Sequence, residues 1–195
     1  MGFSDVDIFV SLKSDTPGTL KELYGNLYRF AEQQGWSPRH QNVSVGVTIN
    51  GTRGDLVPGR MQAGYQNYHS LYLRKRDSWT QTNVALHVQT VHDSSRLREI
   101  RAVKIWRYLH SLDFPSLYLE LFVIQTLSGR SRSTLAKNVL HALRVIGTSL
   151  STTRVEDPSN SNNVLSDDLT RQAKETIASL ALKSSREPYW GQIIW

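Results

Sequence analysis

The sequence predicts an α+β fold: a small mixed β-sheet with one helix over residues 1–85, followed by an α-helical half over residues 86–195. Three observations carry this. Val43, Val45, Val47 and Ile49 alternate with small or polar residues, which is the period of a half-buried strand. Asn50-Gly51 follows at once, the dipeptide that best accepts the two left-handed residues of a tight hairpin. Beyond Asn83 the apolar spacing lengthens to three and four, as in Leu97, Ile100, Val103 and Trp106, which puts one stripe on a helix face.

Taken in order, Asp5 to Leu12 reads as a strand with Val6, Ile8, Phe9 and Val10 as its apolar residues. Ser14-Asp15-Thr16-Pro17 reads as a helix start, with Thr16 as N-cap and Pro17 in the first turn, where a missing N–H costs nothing. The stripe Leu20, Leu23, Tyr24, Leu27, Phe30 and Ala31 then runs to Gly35, a helix stop. After the Asn50-Gly51 turn the chain returns through Gly54-Asp55-Leu56-Val57, and Pro58 limits further pairing. Tyr68 to Lys75, with the surroundings of Trp79, predicts one more strand. Asp93 or Ser94 is expected to cap a helix reaching Leu109, which Phe114-Pro115 ends. Pro115 and Ser116 open a second helix, apolar enough from Leu117 to Leu127 to be almost wholly buried. A third spans Ser133 to Ile146, a polar loop spans Ser149 to Asn163, and a fourth helix runs from Asp167 to Leu182. The tail Tyr189, Trp190, Ile193, Ile194, Trp195 is too apolar for a free end, so it either docks on the body or marks a boundary.

Composition narrows the class. Hydrophobic content of 39% with 21% charged residues is that of a globular domain. No apolar run is long enough to cross a bilayer, and no charged-then-apolar leader starts at Met1. The absence of cysteine excludes a disulfide framework and any thiolate metal site. A cytoplasmic location without a membrane partner is expected. The formal charge of +6 and the isoelectric point near 9.7 suit an anionic partner. The basic residues are scattered, however, and an ordinary soluble surface fits them equally well. Nothing in the composition defines an oligomeric state.

The chemistry is concentrated in three acids. Asp5 and Asp7 lie two apart on the first strand, so their side chains share one face. A carboxylate within an apolar strand is costly unless it is paired or binds a cation. Asp55 follows on the hairpin, and if its strand lies alongside the first, three carboxylates converge as a magnesium site for phosphoryl chemistry requires. The competing reading of Asp5 and Asp7 alone is a solvated strand start.

The order of these elements resembles the polymerase-β-like nucleotidyltransferases, and most of all the oligoadenylate synthetases and the bacterial cyclic-oligonucleotide synthases of anti-phage signalling. Four passages carry the resemblance: Ser4-Asp5-Val6-Asp7-Ile8-Phe9-Val10; Gly54-Asp55-Leu56-Val57-Pro58; Ile105-Trp106-Arg107 with Pro115-Ser116-Leu117-Tyr118-Leu119-Glu120; and Val155-Glu156-Asp157-Pro158 with Asn162-Asn163. Trp79-Thr80-Gln81-Thr82-Asn83 is similar to the family's link between the halves. The resemblance implies a nucleotidyltransferase that joins a nucleoside triphosphate to a hydroxyl acceptor, a nucleotide or nucleic acid, with release of pyrophosphate. Second-messenger oligonucleotide synthesis in antiviral defence is the implied setting. Asp5, Asp7 and Asp55 would be the catalytic and metal-binding residues, holding two Mg2+ ions. Ser4, Lys104, Ser116, Asp157 and Asn163 would contact the nucleotide. The physics of Lys104 and Ser116 suits a triphosphate, one as a point charge and the other as a hydroxyl at a helix N-terminus, although a solvated lysine and a capping serine are the ordinary roles of such residues. Asp157 and Asn163 equally suit loop stabilisation, since Asp-Pro and Asn-Asn are turn chemistry.

One family feature is missing. Relatives carry a Gly-Ser signature ahead of the Asp-x-Asp strand, and Gly2-Phe3-Ser4 does not match it, so an N-terminally truncated member is expected. Two alternatives follow: an inactive remnant that binds a nucleotide or a protein, and a basic nucleic-acid-binding module. Among other motifs, His87 and His92 lack the company of a metal site. Tyr65, Tyr68 and Tyr72 beside Arg74, Lys75 and Arg76 read as an exposed basic strand end or a stacking surface.

Overall fold

The structure, a computed structural model, describes residues 6–194, and the chain forms two compact units, Met1–Ala85 and Leu86–Trp195. The first is built on a mixed six-stranded sheet. β1 (Val6–Leu12) leads to α1 (Leu20–Gln33), and β2 (Arg39–His40), β3 (Val45–Ile49), β4 (Thr52–Met61), β5 (His69–Leu73) and β6 (Ser78–Thr82) follow. β3 and β4 form the hairpin expected of Asn50-Gly51, and both turn residues have positive φ, 50° and 79°.

The long strand β4 organises the sheet. β1 runs parallel to it from Gly54 to Arg60, while β3 pairs antiparallel over Thr52 to Leu56 and β5 over Gly59 to Met61. β3 and β5 therefore succeed one another along the edge opposite β1. Pro58 falls in the gap between their two ladders, a place where a strand tolerates a residue without an N–H. α1 covers one face, where Tyr24, Ala31, Val45, Val47, Leu56 and Tyr72 form a small core.

Helix α1 starts later than expected. Its N-cap is Thr19, not Thr16, because Thr19 and Glu22 form a reciprocal capping box whose side-chain oxygens accept from two otherwise orphaned backbone N–H groups. Gly18, at φ +94°, makes Pro17-Gly18 part of the preceding turn. Residues 68–82 supply two antiparallel strands and not one, β5 and β6, joined through a short 3₁₀ turn at Arg74–Arg76.

The second unit is largely helical. It contains most of α2 (Val84–Asp93), then α3 (Leu97–Leu109), α4 (Ser116–Thr126), α5 (Leu135–Ser149) and α6 (Arg171–Ser184). α2 was not expected, since Asp93 ends it instead of capping α3. Within the polar segment 149–163 lies the start of a two-stranded hairpin, β7 (Glu156–Asp157) and β8 (Asn160–Val164). α6 begins at Arg171 behind Thr170, whose hydroxyl accepts from Ala173 N–H, while Leu165–Asp168 is a separate 3₁₀ turn. α4 is buried at Tyr118, Leu119, Leu121, Phe122 and Val123, as its uniform apolarity requires. The tail docks: Ile193 is buried in the helical core, with Trp190 and Ile194 packed against it.

Candidate functional site

The strand registers bring two of the sequence-predicted acids together. Asp7 on β1 is directly opposite Asp55 on β4. Asp55 is opposite Gly46 on β3, and Gly46 is opposite Arg39 on β2. Directly paired residues project to the same face, so one row across four strands reads Asp7, Asp55, Gly46, Arg39. This face is the one turned away from Val45, Val47 and Leu56, which pack under α1. Adjacent strands lie about 4.8 Å apart, which sets the two carboxylates side by side. Asp7 is exposed and Asp55 half-buried.

A polar cluster forms where the row crosses Gly46. A Cβ at that position would lie 2.8 Å from Gln41 Nε2, 3.2 Å from Arg39 Nη2 and 3.3 Å from Asp55 Oδ1. Three polar side chains thus converge over bare backbone, and only glycine leaves room for them. Gln41 Nε2 donates to Asp55 Oδ1 at 2.7 Å, and Ser44 Oγ donates to Gln41 Oε1 at 2.8 Å. The Gln41 N–H reaches the Ser44 carbonyl at 3.1 Å and the Tyr24 hydroxyl at 3.2 Å.

Two carboxylates on neighbouring strands are an oxygen-donor set suited to a hard cation such as Mg2+, which is typically held by one or two carboxylates together with substrate phosphates. An amide N–H on one ligand oxygen is ordinary outer-shell support. The residues present therefore fit magnesium. Among the described residues no group of three His, Cys, Asp or Glu gathers at one point. Asp5 and Ser4 lie outside the described residues.

A second group lies in the helical unit. Lys104 on α3 forms an ion pair with Glu120 on α4. Arg107, one turn further along α3, donates through Nη1 to the Phe114 carbonyl at 2.6 Å and to Ser116 Oγ at 3.0 Å. Ser116 is the first residue of α4, behind Pro115. Arg107 and the Ser116 hydroxyl therefore meet at a helix N-terminus, whose dipole favours an anion, while Lys104 is paired one turn further along α4. Lys104 is thus linked to α4 through Glu120, and Ser116 to α3 through Arg107.

Asp157 and Asn163 occupy a different setting. Asp157 Oδ1 meets His87 Nε2 at 2.7 Å, Ser159 N–H at 2.7 Å and Ser159 Oγ at 2.6 Å, and its Oδ2 accepts from Asn163 Nδ2 at 3.2 Å. These bonds close the β7–β8 hairpin and tie it to α2. Burial pushes the Asp157 carboxyl up, but the hydrogen bonds from His87 and Ser159 outweigh it and hold the group below the usual carboxylate range. His87 is thus a structural partner, while His92 pairs with Asp93 at the surface.

Residues that the motif reading did not single out are Gln41, Gly46, Arg39 and the bond from Arg107. The lone glycine within the Val43–Ile49 alternation was a usable signal, since an interior strand glycine marks a close approach. Gln41 carries no sequence signal at all.

No family model matches the sequence, and no curated protein matches it. Solved structures do match. CdnC from E. coli MS115-1, solved with ATP, superposes with a TM-score of 0.69 at 18% identity, over 98% of this chain and 77% of that one. The CD-NTase CdnG of Bradyrhizobium diazoefficiens, in complex with GTP, gives 0.68 at 12% identity over 92% and 70%. The DncV cyclic AMP-GMP synthase of Vibrio cholerae, with a linear intermediate, gives 0.69 at 17% identity over 93% and 56%. The chain has the fold of these bacterial nucleotidyltransferases, the polymerase-β-like fold that the four sequence passages resemble.

Proposed function

We propose that this chain is a magnesium-dependent nucleotidyltransferase of the cytoplasm. It joins a nucleoside triphosphate to a hydroxyl of a nucleotide or nucleic-acid acceptor, with an oligonucleotide signal of antiviral defence as the product class. The observation that carries this reading is the register of Asp7 against Asp55 on a fold shared with a cyclic AMP-GMP synthase. In the reaction the acceptor oxygen bonds to the α-phosphorus, the bond from that phosphorus to the bridging oxygen breaks, and pyrophosphate leaves. Magnesium bound by Asp5, Asp7 and Asp55 would supply charge neutralisation at the phosphates and a lowered pKa for the attacking hydroxyl. Asp55 receives the hydroxyl proton. Lys104 on α3 and Ser116 at the start of α4 hold the triphosphate by charge and hydrogen bonding. Ser4, Asp157 and Asn163 complete the proposed nucleotide contacts, Asp157 and Asn163 through the hairpin they hold closed.

Incubation with labelled nucleoside triphosphates and Mg2+, with pyrophosphate release as the readout, tests this. Asp5→Ala and Asp55→Ala are each expected to abolish release, and unchanged turnover in either variant overturns the mechanism. Magnesium-dependent triphosphate binding without turnover in the parent protein would instead identify a nucleotide-binding module.

A further inference from the structure

We infer that Gln41 is a positioning residue for Asp55: its amide sets the rotation of the carboxylate, and with it the geometry in which a divalent cation is held. The inference rests on the reading of Asp7 and Asp55 as metal ligands. An ionised carboxylate only accepts hydrogen bonds, so the nitrogen of the Gln41 amide must face Asp55. The amide oxygen is then left for Ser44 Oγ, which lies 2.8 Å away. Flipping the amide would set its oxygen against a carboxylate oxygen, so the orientation has one solution. The rest of the residue is equally constrained. Its N–H lies between the Tyr24 hydroxyl and the Ser44 carbonyl, Ser44 is 3% exposed, and the amide nitrogen sits 2.8 Å from where a Gly46 Cβ would be. Tyr24 itself belongs to the core under α1. A continuous path of hydrogen bonds therefore runs from the buried face of the sheet to the oxygen of a candidate ligand, as second-shell groups do when they orient a metal site.

A purely structural role, closing the turn from Gln41 to Ser44, would leave cation affinity untouched, and this separates the two. Mn2+ is used as a paramagnetic probe of the magnesium site, with its affinity read by electron paramagnetic resonance and the melting temperature recorded without metal. Gln41→Met keeps the length of the side chain and removes the donor. It is expected to weaken Mn2+ binding about tenfold or more while the metal-free melting temperature stays close to the parent's. Ser44→Ala, which releases the amide oxygen, is expected to weaken it about threefold and decides the matter if Gln41→Met does not fold. Mn2+ affinity within twofold of the parent in the folded variant, alongside a loss in Asp55→Asn, overturns the inference and leaves the metal reading standing. An Asp55→Asn variant that binds Mn2+ like the parent overturns both.

Discussion

The two units of the chain use their polar residues in opposite ways. In the helical unit most buried polar groups form closed sets, although the buried His110 Nε2 has no hydrogen-bond partner. Arg96, Glu99 and Asn138 are 5%, 3% and 0% exposed, and they satisfy one another and the carbonyls of Leu127 and Ser131. Asp157, His87, Ser159 and Asn163 form a second such set. Around them runs a core from Ile100 to Ile193 that includes Trp106, Tyr118 and Phe122. In the sheet unit one cluster of the core lies under α1, while the opposite face carries Asp7, Asp55 and Gln41 at one end and the buried Leu71 and His69, packed with Phe9 about Gly59, at the other. Buried polar groups that are fully partnered make a fold specific. The difference separates a unit whose polar groups are mostly enclosed by its core from one that carries acids on a partly exposed sheet face.

The largest expected effect tests the contrast in packing. Trp106 is fully buried, and its Nε1 donates to Ser184 Oγ at 3.0 Å, so Trp106→Ala should cost about 3–5 kcal/mol. Leu56, beside Asp55 in the smaller core and 6% exposed, should cost about 2–3 kcal/mol on truncation to Ala. Denaturant unfolding measures both, and backbone hydrogen exchange locates the loss. A Leu56→Ala penalty equal to that of Trp106→Ala would break the comparison.

An intermediate effect concerns Asp157. Its Asn variant offers a single acceptor oxygen and brings two unwanted donors to a closed network, so it should lose about 1.5–3 kcal/mol at neutral pH. The sign of the pH dependence follows from the depressed carboxyl. Its native pKa lies below the unfolded value near 3.8, so the unfolded state binds the proton more readily. The stabilisation is complete above the unfolded pKa and is lost as pH falls through the native one. The gap in melting temperature between the parent and Asp157→Asn should therefore hold steady from neutral pH to about 5 and narrow below 4. A gap independent of pH would show that the carboxylate charge plays no part.

Much of the fold was legible because it depends on local periodicity. The alternation from Val43 to Ile49, the Asn50-Gly51 turn, the apolar run from Leu117 to Leu127 and the stripe through Trp106 each state their own structure. The parallel pairing of β1 with β4 is not local, and the sequence left it conditional: Asp7 meets Asp55 only because those two strands lie side by side. Cap selection was less legible. Thr16 and Thr19 are both good N-caps, and only Glu22 three residues beyond Thr19 decides between them. The β7–β8 hairpin escaped because Asn160 to Val164 has the composition of a loop, and its strands exist through the Asp157 network and not through strand propensity. Gln41 was invisible for the same reason: its role arises from a neighbour fourteen residues away across the sheet.

The smallest expected effect lies where the helical unit departs from its own rule. Lys104 and Glu120 form an ion pair, but their side chains remain 32% and 17% exposed, so the pair is neither closed off like Asp157 nor open like Asp7. A partly solvated pair of this kind contributes about 0–1 kcal/mol, and Glu120→Gln should change stability by no more than that. Its effect on binding should be the clearer one. Glu120 neutralises the cation proposed to hold the triphosphate, so an incoming phosphate must compete with a carboxylate already in place. Replacing it by the neutral isostere should tighten binding of a non-hydrolysable nucleoside triphosphate about two- to fivefold, the equivalent of roughly 0.4–1 kcal/mol. Titration calorimetry at fixed Mg2+ measures this, and the gain should shrink as salt screens the competition. Weaker binding in Glu120→Gln would reverse the assignment and make Glu120 a support that aims Lys104, which would extend to the helical unit the arrangement inferred for Gln41 and Asp55 in the sheet.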